Sequence, residues 1–211
     1  LHRVDRRQRQ DVYKRQGFLV NADPRMTFEE ASARRDFTIN SIGFDPIHQL
    51  WLDPHHGQED LKKGILRHVG PAFAEDPLRV LRGAQFAARL NFQLAPETLE
   101  LCQTLDLNEL PRERLLGEFA KLLLRAEQPS IGLEILRQTK ALRFFPELEA
   151  LIDVPQDPTW HPEGCVWTHT LMVVDEAAKL RVGEEKADLV LMFGALCHDF
   201  SKPCVLYTSP S

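Results

Sequence analysis

Residues 75–82, Glu75-Asp76-Pro77-Leu78-Arg79-Val80-Leu81-Arg82, decide how the chain is read. Aspartate before proline marks a helix start. The carboxylate can cap free backbone N–H groups, and proline, which has none to satisfy, suits the first turn. Beyond it, Leu78, Leu81, Ala84, Gln85 and Ala88 recur at three- and four-residue spacing, which predicts a helix with one inward face. Arg79 lies three residues past Asp76 and Arg82 three past Arg79, so all three should project from one face near the helix start. A carboxylate beside a guanidinium sets an acceptor next to donors. That pair complements the Watson–Crick edge of cytosine or adenine and mismatches uracil and guanine. The competing reading is an N-cap aspartate with an i,i+3 ion pair, which contributes only about a few tenths of a kcal/mol.

Upstream, residues 17–67 hold short apolar runs broken by Gly, Pro and Asp. Residues 37–44 form a short apolar element, helix or strand, and residues 50–52 a strand bounded by Asp45-Pro46 and Asp53-Pro54. Within this block, Arg34-Arg35-Asp36-Phe37-Thr38-Ile39-Asn40 sets two guanidiniums, an acid and an amide beside an apolar framework. Arginine's planar fork suits phosphate oxygens. Asp36 can hold one arginine in place, and Asn40 can reach a sugar hydroxyl or a phosphate. A solvated charged turn is an equal alternative.

Downstream the pattern is helical. One helix is expected from about Pro96 with Leu99 and Cys102 inward, and one over residues 112–125. Another begins at Pro129 and stops at Phe144-Phe145-Pro146, with a short helix following through Leu151. Two more cover residues 169–180 and 187–198. On the 112–125 helix, Arg112, Arg114 and Lys121, with Glu113 and Glu118, read either as an RNA contact or pocket brace or, more commonly, as a charged face. His161, His169 and the pair His198-Asp199 could converge on a divalent metal. Because residues 191–196 are apolar, that pair is expected at the end of a buried helix. A structural role for isolated histidines is the alternative.

The composition is that of an ordinary globular protein, 43% hydrophobic and 27% charged, with no apolar run long enough to span a bilayer and no signal peptide. The net charge of −5 argues weakly against a nucleic-acid partner, but phosphate binding depends on where the arginines cluster. Cys102, Cys165, Cys197 and Cys204 form no C-x-x-C pair and read as reduced thiols in a cytoplasmic protein. Residues 1–16 and 204–211 resemble translated adaptor or vector sequence and read as non-native flanks.

Taken together, RRDFTINSIGFDP followed by LWLDPHHGQEDLKKGILRHVGPAFAEDPLRVLRGAQFAARLNF resembles the class II tRNA nucleotidyltransferases and their bacterial poly(A) polymerase relatives. WHPEG, WTHTLMVVDEA and LCHDFSKP resemble the HD phosphohydrolase domain appended to many bacterial CCA-adding enzymes. The resemblance implies a mainly α fold. Residues 17–67 would be the tail of an α/β head, 68–128 a helical neck, 129–155 a body segment and 156–203 the start of the HD domain. Arg35 would contact the triphosphate, with Arg34, Asp36 and Asn40 shaping that site. Asp76 and Arg79 would read the base of CTP or ATP, and Arg82 would help hold the nucleotide. His169, His198 and Asp199 would be metal ligands, for Ni²⁺ or Mn²⁺. The family's Gly-Gly loop and its Mg²⁺-binding Asp-x-Asp pair do not occur in the sequence, so the chain is expected to be a fragment without activity of its own. Gln85 stands where family members often carry a third arginine, so one phosphate contact is expected to be weaker or water-mediated. The parent is expected to add CCA to tRNA 3′ ends. The alternatives are a poly(A) polymerase, an HD-type phosphohydrolase with an RNA-docking front, and a degenerate tRNA-binding protein.

Overall fold

The computed structural model describes residues 25–203, and the flanks read as non-native lie outside them. The first helix, α1 (Phe28–Ser32), is set by a capping box. The Thr27 hydroxyl accepts from the Glu30 N–H at 3.2 Å, and the Glu30 carboxylate accepts from the Thr27 N–H at 2.8 Å. Residues 37–44 resolve into two pieces, a 3-10 turn at Thr38–Asn40 and the strand β1 (Gly43–Asp45). β1 pairs antiparallel with β2 (Leu50–Leu52), Phe44 opposite Trp51. Helix α2 (Gly57–Lys63) ends on Gly64, whose φ of +68° is the left-handed conformation that closes a helix without a Cβ clash. The strand β3 (Ile65–Leu66) follows.

The central helix is α3 (Leu78–Leu90). It begins one residue later than the sequence pattern predicts, because Pro77 serves as the cap residue and Asp76 Oδ1 accepts from the Leu78 N–H at 3.2 Å. Leu78, Leu81, Ala84, Gln85 and Ala88 are all buried, as their spacing predicts. The chain leaves α3 through Asn91, at φ 55°, into β4 (Gln93–Leu94), which pairs parallel with β3. Next come α4 (Pro96–Thr104), with Cys102 buried and Leu99 half-buried, and α5 (Arg112–Arg125). Helix α6 (Pro129–Gln138) stops short of the Phe144-Phe145-Pro146 boundary expected for it. Lys140 turns left-handed at φ 58°, and a separate 3-10 turn, Ala141–Phe144, precedes α7 (Pro146–Glu149).

Helix α3 packs against both α5 and α6. Its approach to α6 requires Gly132, where an added Cβ would come within 2.4 Å of a Leu122 methyl and 2.7 Å of the Ala84 carbonyl oxygen. Phe37 seals the front of the same core. It is fully buried and meets Phe73 and Phe86 edge to face, with centroids at 5.5 and 6.0 Å. Burying such a side chain contributes about 1.5–3 kcal/mol. It also brings its neighbour Asp36 against α3.

The last pair, α8 (Val166–Lys179) and α9 (Glu185–Cys197), packs on α6 and α5 respectively. The Arg181 guanidinium ties their connection to the end of α5 by donating to the Leu123 and Ala126 carbonyls at 2.8 and 2.7 Å. The expectation of a buried helix before His198 is corrected here. Only Asp188, Met192 and Leu196 of α9 are buried, and Val190 is 71% exposed. An apolar run gives length and hydrophobicity but not a burial direction, and α9 contacts its neighbours along one side. No helix among the described residues is long and apolar enough to cross a membrane.

Candidate functional site

Arg35, Asp36, Asp76, Leu78, Arg79, Arg82 and Arg114 line a cavity of about 290 Å³ where the front segment meets the start of α3 and of α5. Asp36, next to the buried Phe37, forms part of its wall. Asp36 Oδ2 accepts from Arg82 Nε at 2.8 Å and Nη2 at 2.5 Å, while its Oδ1 accepts from the Phe37 N–H and Asn40 Nδ2 at 2.8 and 3.0 Å. Burial raises the Asp36 pKa, but the Asn40 hydrogen bond and the Arg82 charge outweigh it and hold the carboxyl below its ordinary value. Asp76 is held on both oxygens, Oδ1 by the Leu78 N–H and Oδ2 by Arg114 Nη2 at 2.7 Å.

Arg79 differs from these. Its Nη1 donates to the Ala72 carbonyl at 2.6 Å and its Nη2 to the Arg34 carbonyl at 2.7 Å. Arg35 Nη1 donates to the Asn40 carbonyl at 3.1 Å. Among the described residues neither Arg35 nor Arg79 is ion-paired to a carboxylate, so two oriented guanidiniums keep their charge available to an anion. The cavity can therefore take a phosphate at its arginines while Asp76 presents acceptor lone pairs beside Arg79.

The other residues singled out by sequence fall elsewhere. Arg34 is exposed and contributes its carbonyl, and Asn40 is turned inward to Asp36 rather than toward the cavity. Gln85 does not line the cavity. It is buried beside Arg89, whose guanidinium its amide oxygen can accept. Arg112 faces a separate groove among Phe144, Phe145, Phe193 and Phe200. Lys121 lies 2.8 Å from Glu118, which is 4% exposed and sits under Arg82, with Arg82 Nη1 at 4.0 Å. The 112–125 helix thus sends one arginine to the cavity, braces a second from beneath, and leaves Arg112 outside it.

A second cluster lies at the far end. His169 Nε2 is 4.0 Å from Asp199 Oδ2, and His198 Nε2 is 3.2 Å from the same oxygen. Asp199 is 7% exposed, and its Oδ2 has no hydrogen bond of good geometry, although Lys202 Nζ lies 2.8 Å away. One donor atom from each of His169, His198 and Asp199 falls within 4.8 Å of the others, a set that suits a divalent transition metal. The sequence reading passed over Glu163, whose Oε1 lies 3.0 Å from His161 Nδ1 and 2.6 Å from His169 Nδ1. Its own backbone N–H, then the two imidazoles, hold its carboxyl down at about 2. The signal available was a carboxylate two residues from His161, which by itself has no direction.

Residues 2–67 match the family described as the Poly A polymerase head domain, and residues 91–152 match the family described as the probable RNA and SrmB-binding site of polymerase A. The "Multifunctional CCA protein" of Xylella fastidiosa strain 9a5c is 46% identical over 205 residues, 93% of this chain and 48% of that protein. Its namesake in Nitrosococcus oceani is 47% identical over 191 residues, 88% of this chain and 45% of that protein. The chain therefore spans about half the length of these curated relatives. Among solved structures, one described as "Structure of tRNA-processing enzyme with CTP" matches with a TM-score of 0.50 and 26% identity, over 86% of this chain and 57% of that one. An apo form of a tRNA-processing enzyme matches at TM-score 0.54 and 26% identity, over 88% and 54%.

Proposed function

We propose that this chain is part of a class II tRNA nucleotidyltransferase, and that its parent protein adds C, C and A to tRNA 3′ ends from CTP and ATP. The observation that carries the proposal is the arginine cavity, where Arg35 and Arg79 are held by main-chain carbonyls with no carboxylate among the described residues to neutralise them, beside Asp76. The relatives named for CCA and the likeness to a CTP-bound tRNA-processing enzyme support it.

Arg35 draws in the triphosphate, and the pair of Asp36 and Arg82 fixes the wall against which it rests. Asp76 and Arg79 together offer an acceptor beside donors to the base edge. Cytosine and adenine answer that pattern with an amino donor and a ring-nitrogen acceptor, whereas uracil and guanine meet it with like groups. Rejecting the wrong base rests on leaving buried polar groups unpaired. Arg114 keeps the Asp76 carboxylate in register, a brace rather than a contact. The tRNA 3′ end lies along the helices that follow α3, the stretch whose family match is an RNA-binding one. The parent is assigned to the cytoplasm, with its tRNA.

Transfer to a 3′-hydroxyl calls for Mg²⁺. The cavity's own carboxylates do not fit that ion. Asp36 is engaged by Arg82, Asn40 and a backbone N–H, Asp76 by Leu78 and Arg114, and no metal-holding group of side chains occurs there among the described residues. They are nucleotide-shaping groups.

The test is incorporation by the intact parent on tRNA lacking CCA, with Mg²⁺ and labelled CTP and ATP given singly and together. Ordered C-then-A addition, lost on Asp76→Ala or Arg79→Ala, is the expected outcome. ATP-only tailing would instead assign the protein to the poly(A) polymerases, which the head-domain match also accommodates.

A second reading concerns the far cluster, in which His169, His198 and Asp199 would hold Ni²⁺ or Mn²⁺ and supply a Lewis acid for phosphate-ester hydrolysis. Release of phosphate from a 2′,3′-cyclic nucleotide that depends on added metal tests it.

A further inference from the structure

We propose that Glu163 is a positioning residue for the far cluster. Its carboxylate locks His169 as the tautomer protonated on Nδ1, which turns the Nε2 lone pair toward a divalent cation shared with His198 and Asp199. This rests on reading that cluster as a metal site.

The argument begins with what each atom can do. An ionised carboxylate only accepts hydrogen bonds, and a neutral imidazole carries one N–H. Glu163 Oε1 is 2.6 Å from His169 Nδ1, so Nδ1 carries the proton of this hydrogen bond, and in the neutral ring the lone pair is left on Nε2. His198 is fixed the same way by a different partner, for its Nδ1 lies 2.7 Å from the Ala195 carbonyl oxygen. In their neutral form both rings therefore spend their N–H outward and turn Nε2 toward one oxygen, Asp199 Oδ2, at 4.0 and 3.2 Å. In the neutral rings two lone pairs and one carboxylate oxygen converge on the same point, an arrangement that a divalent cation satisfies. A proton on Lys202 answers only part of this, since its Nζ reaches Oδ2 from the Gln156 side, 2.7 Å from Gln156 Oε1.

Spacing separates this site from its overlapping rival. His161, Glu163 and His169 could also be written as a ligand set. Ligand atoms about 2.1 Å from an ion stand about 3.0 Å or more apart at octahedral or tetrahedral angles. The 2.6 Å between Glu163 and His169 Nδ1 is too short for two ligands of one ion and right for a charge-assisted hydrogen bond. The 3.2 and 4.0 Å separations at Asp199 suit ligands. His169 has two nitrogens and can serve both, one to the carboxylate and one to the metal, which is the outer-sphere arrangement that orients metal-binding histidines.

The experiment uses the full chain labelled with ¹⁵N. Long-range ¹H–¹⁵N correlations at neutral pH in the metal-free protein should give His169 the Nδ1–H pattern. Glu163→Ala should shift it toward the other tautomer, whereas Glu163→Gln, whose amide oxygen still accepts, should retain it and shows that the fold survives. Mn²⁺ titrated by electron paramagnetic resonance should bind about tenfold to a hundredfold more weakly to Glu163→Ala, with most of the loss restored in Glu163→Gln. An unchanged tautomer in Glu163→Ala would overturn the proposal. So would an affinity loss as complete as that of Asp199→Ala, which would make Glu163 a ligand. Failure of the unsubstituted chain to bind Mn²⁺ would overturn the metal reading itself, whereas Mn²⁺ binding that Glu163→Ala leaves untouched would overturn the positioning role alone.

Discussion

The two clusters of charged side chains are built on opposite plans. The front cavity is assembled from segments far apart in sequence, with Asp36 meeting Arg82, Arg34 meeting Arg79, and Asp76 meeting Arg114. Its groups are held from below by a sealed core, and its free charge comes from arginines tied to main-chain carbonyls. The far cluster draws its donors from the lead-in and body of α8 and the end of α9, and its order depends on a few imidazole hydrogen bonds at a half-exposed surface. The front site is thus a product of folding and should fail with the fold. The far site should lose function through reorientation of single rings while the fold stays intact.

The sharpest way to break that comparison is Arg82→Ala. It leaves Asp36 and the buried Glu118 without their shared cation, and we expect a loss of about 3 kcal/mol in urea unfolding, since uncompensated buried charge is what such truncations expose. A loss under about 0.5 kcal/mol would show that the front site is not part of the stability core.

Arg79→Ala should weaken CTP and ATP binding about tenfold to a hundredfold and lower stability by only about 1–2 kcal/mol, because two hydrogen bonds to main-chain carbonyls are lost but no buried carboxylate is left without its cation. Isothermal titration with each nucleotide reads the difference. Gly132→Ala tests the frame beneath both sites. With Leu122 and the Ala84 carbonyl already in the way, it should lower stability by about 1–3 kcal/mol in thermal unfolding, and the α3–α6 contact is misread if it stabilises.

Acid offers a gentler probe. The folded Asp36 pKa lies below its ordinary value of 3.8, so its stabilising contribution is complete above that value and fades as pH falls through the lower, folded one. Stability measured between pH 5 and 2 (about the range in which carboxylates titrate) should fall less steeply in Asp36→Asn than in the unsubstituted chain. The smallest effect belongs to Arg112→Ala. Because Arg112 faces the phenylalanine groove and not the cavity, nucleotide affinity should stay within about 0.5 kcal/mol, and a larger change would move the site's boundary along α5.

Much of the frame was legible from residue order. The period of Leu78, Leu81, Ala84, Gln85 and Ala88 marked the buried face of α3, and the Asp53-Pro54 break marked the end of β2. The apolar run before His198 misled, because it promised burial that only one side of α9 receives. The list of site residues was partly legible. Asp36, Asp76, Arg79 and Arg82 do line one cavity with Arg35, but Arg114 enters it as the partner of Asp76 while Arg112, two residues away, does not. Two residues along a helix is a turn of about 200°, so neighbours in sequence face different solvent. Glu163 was invisible for a related reason, since nothing in its local pattern distinguishes a carboxylate aimed at an imidazole from one aimed at water.

Residue order alone is enough to place most helix starts, most of the faces that turn inward, and the kinds of charge that crowd the start of α3. Those follow from local geometry, from the 3.6-residue period and from the fixed dihedral of proline. Which carboxylate each arginine meets, which arginines keep their charge free, and which nitrogen of His169 and His198 faces Asp199 follow from the packed fold and not from residue order. An arginine or an imidazole reaches its partner through several rotatable bonds, and the partner's place is set by the packing of segments tens of residues away.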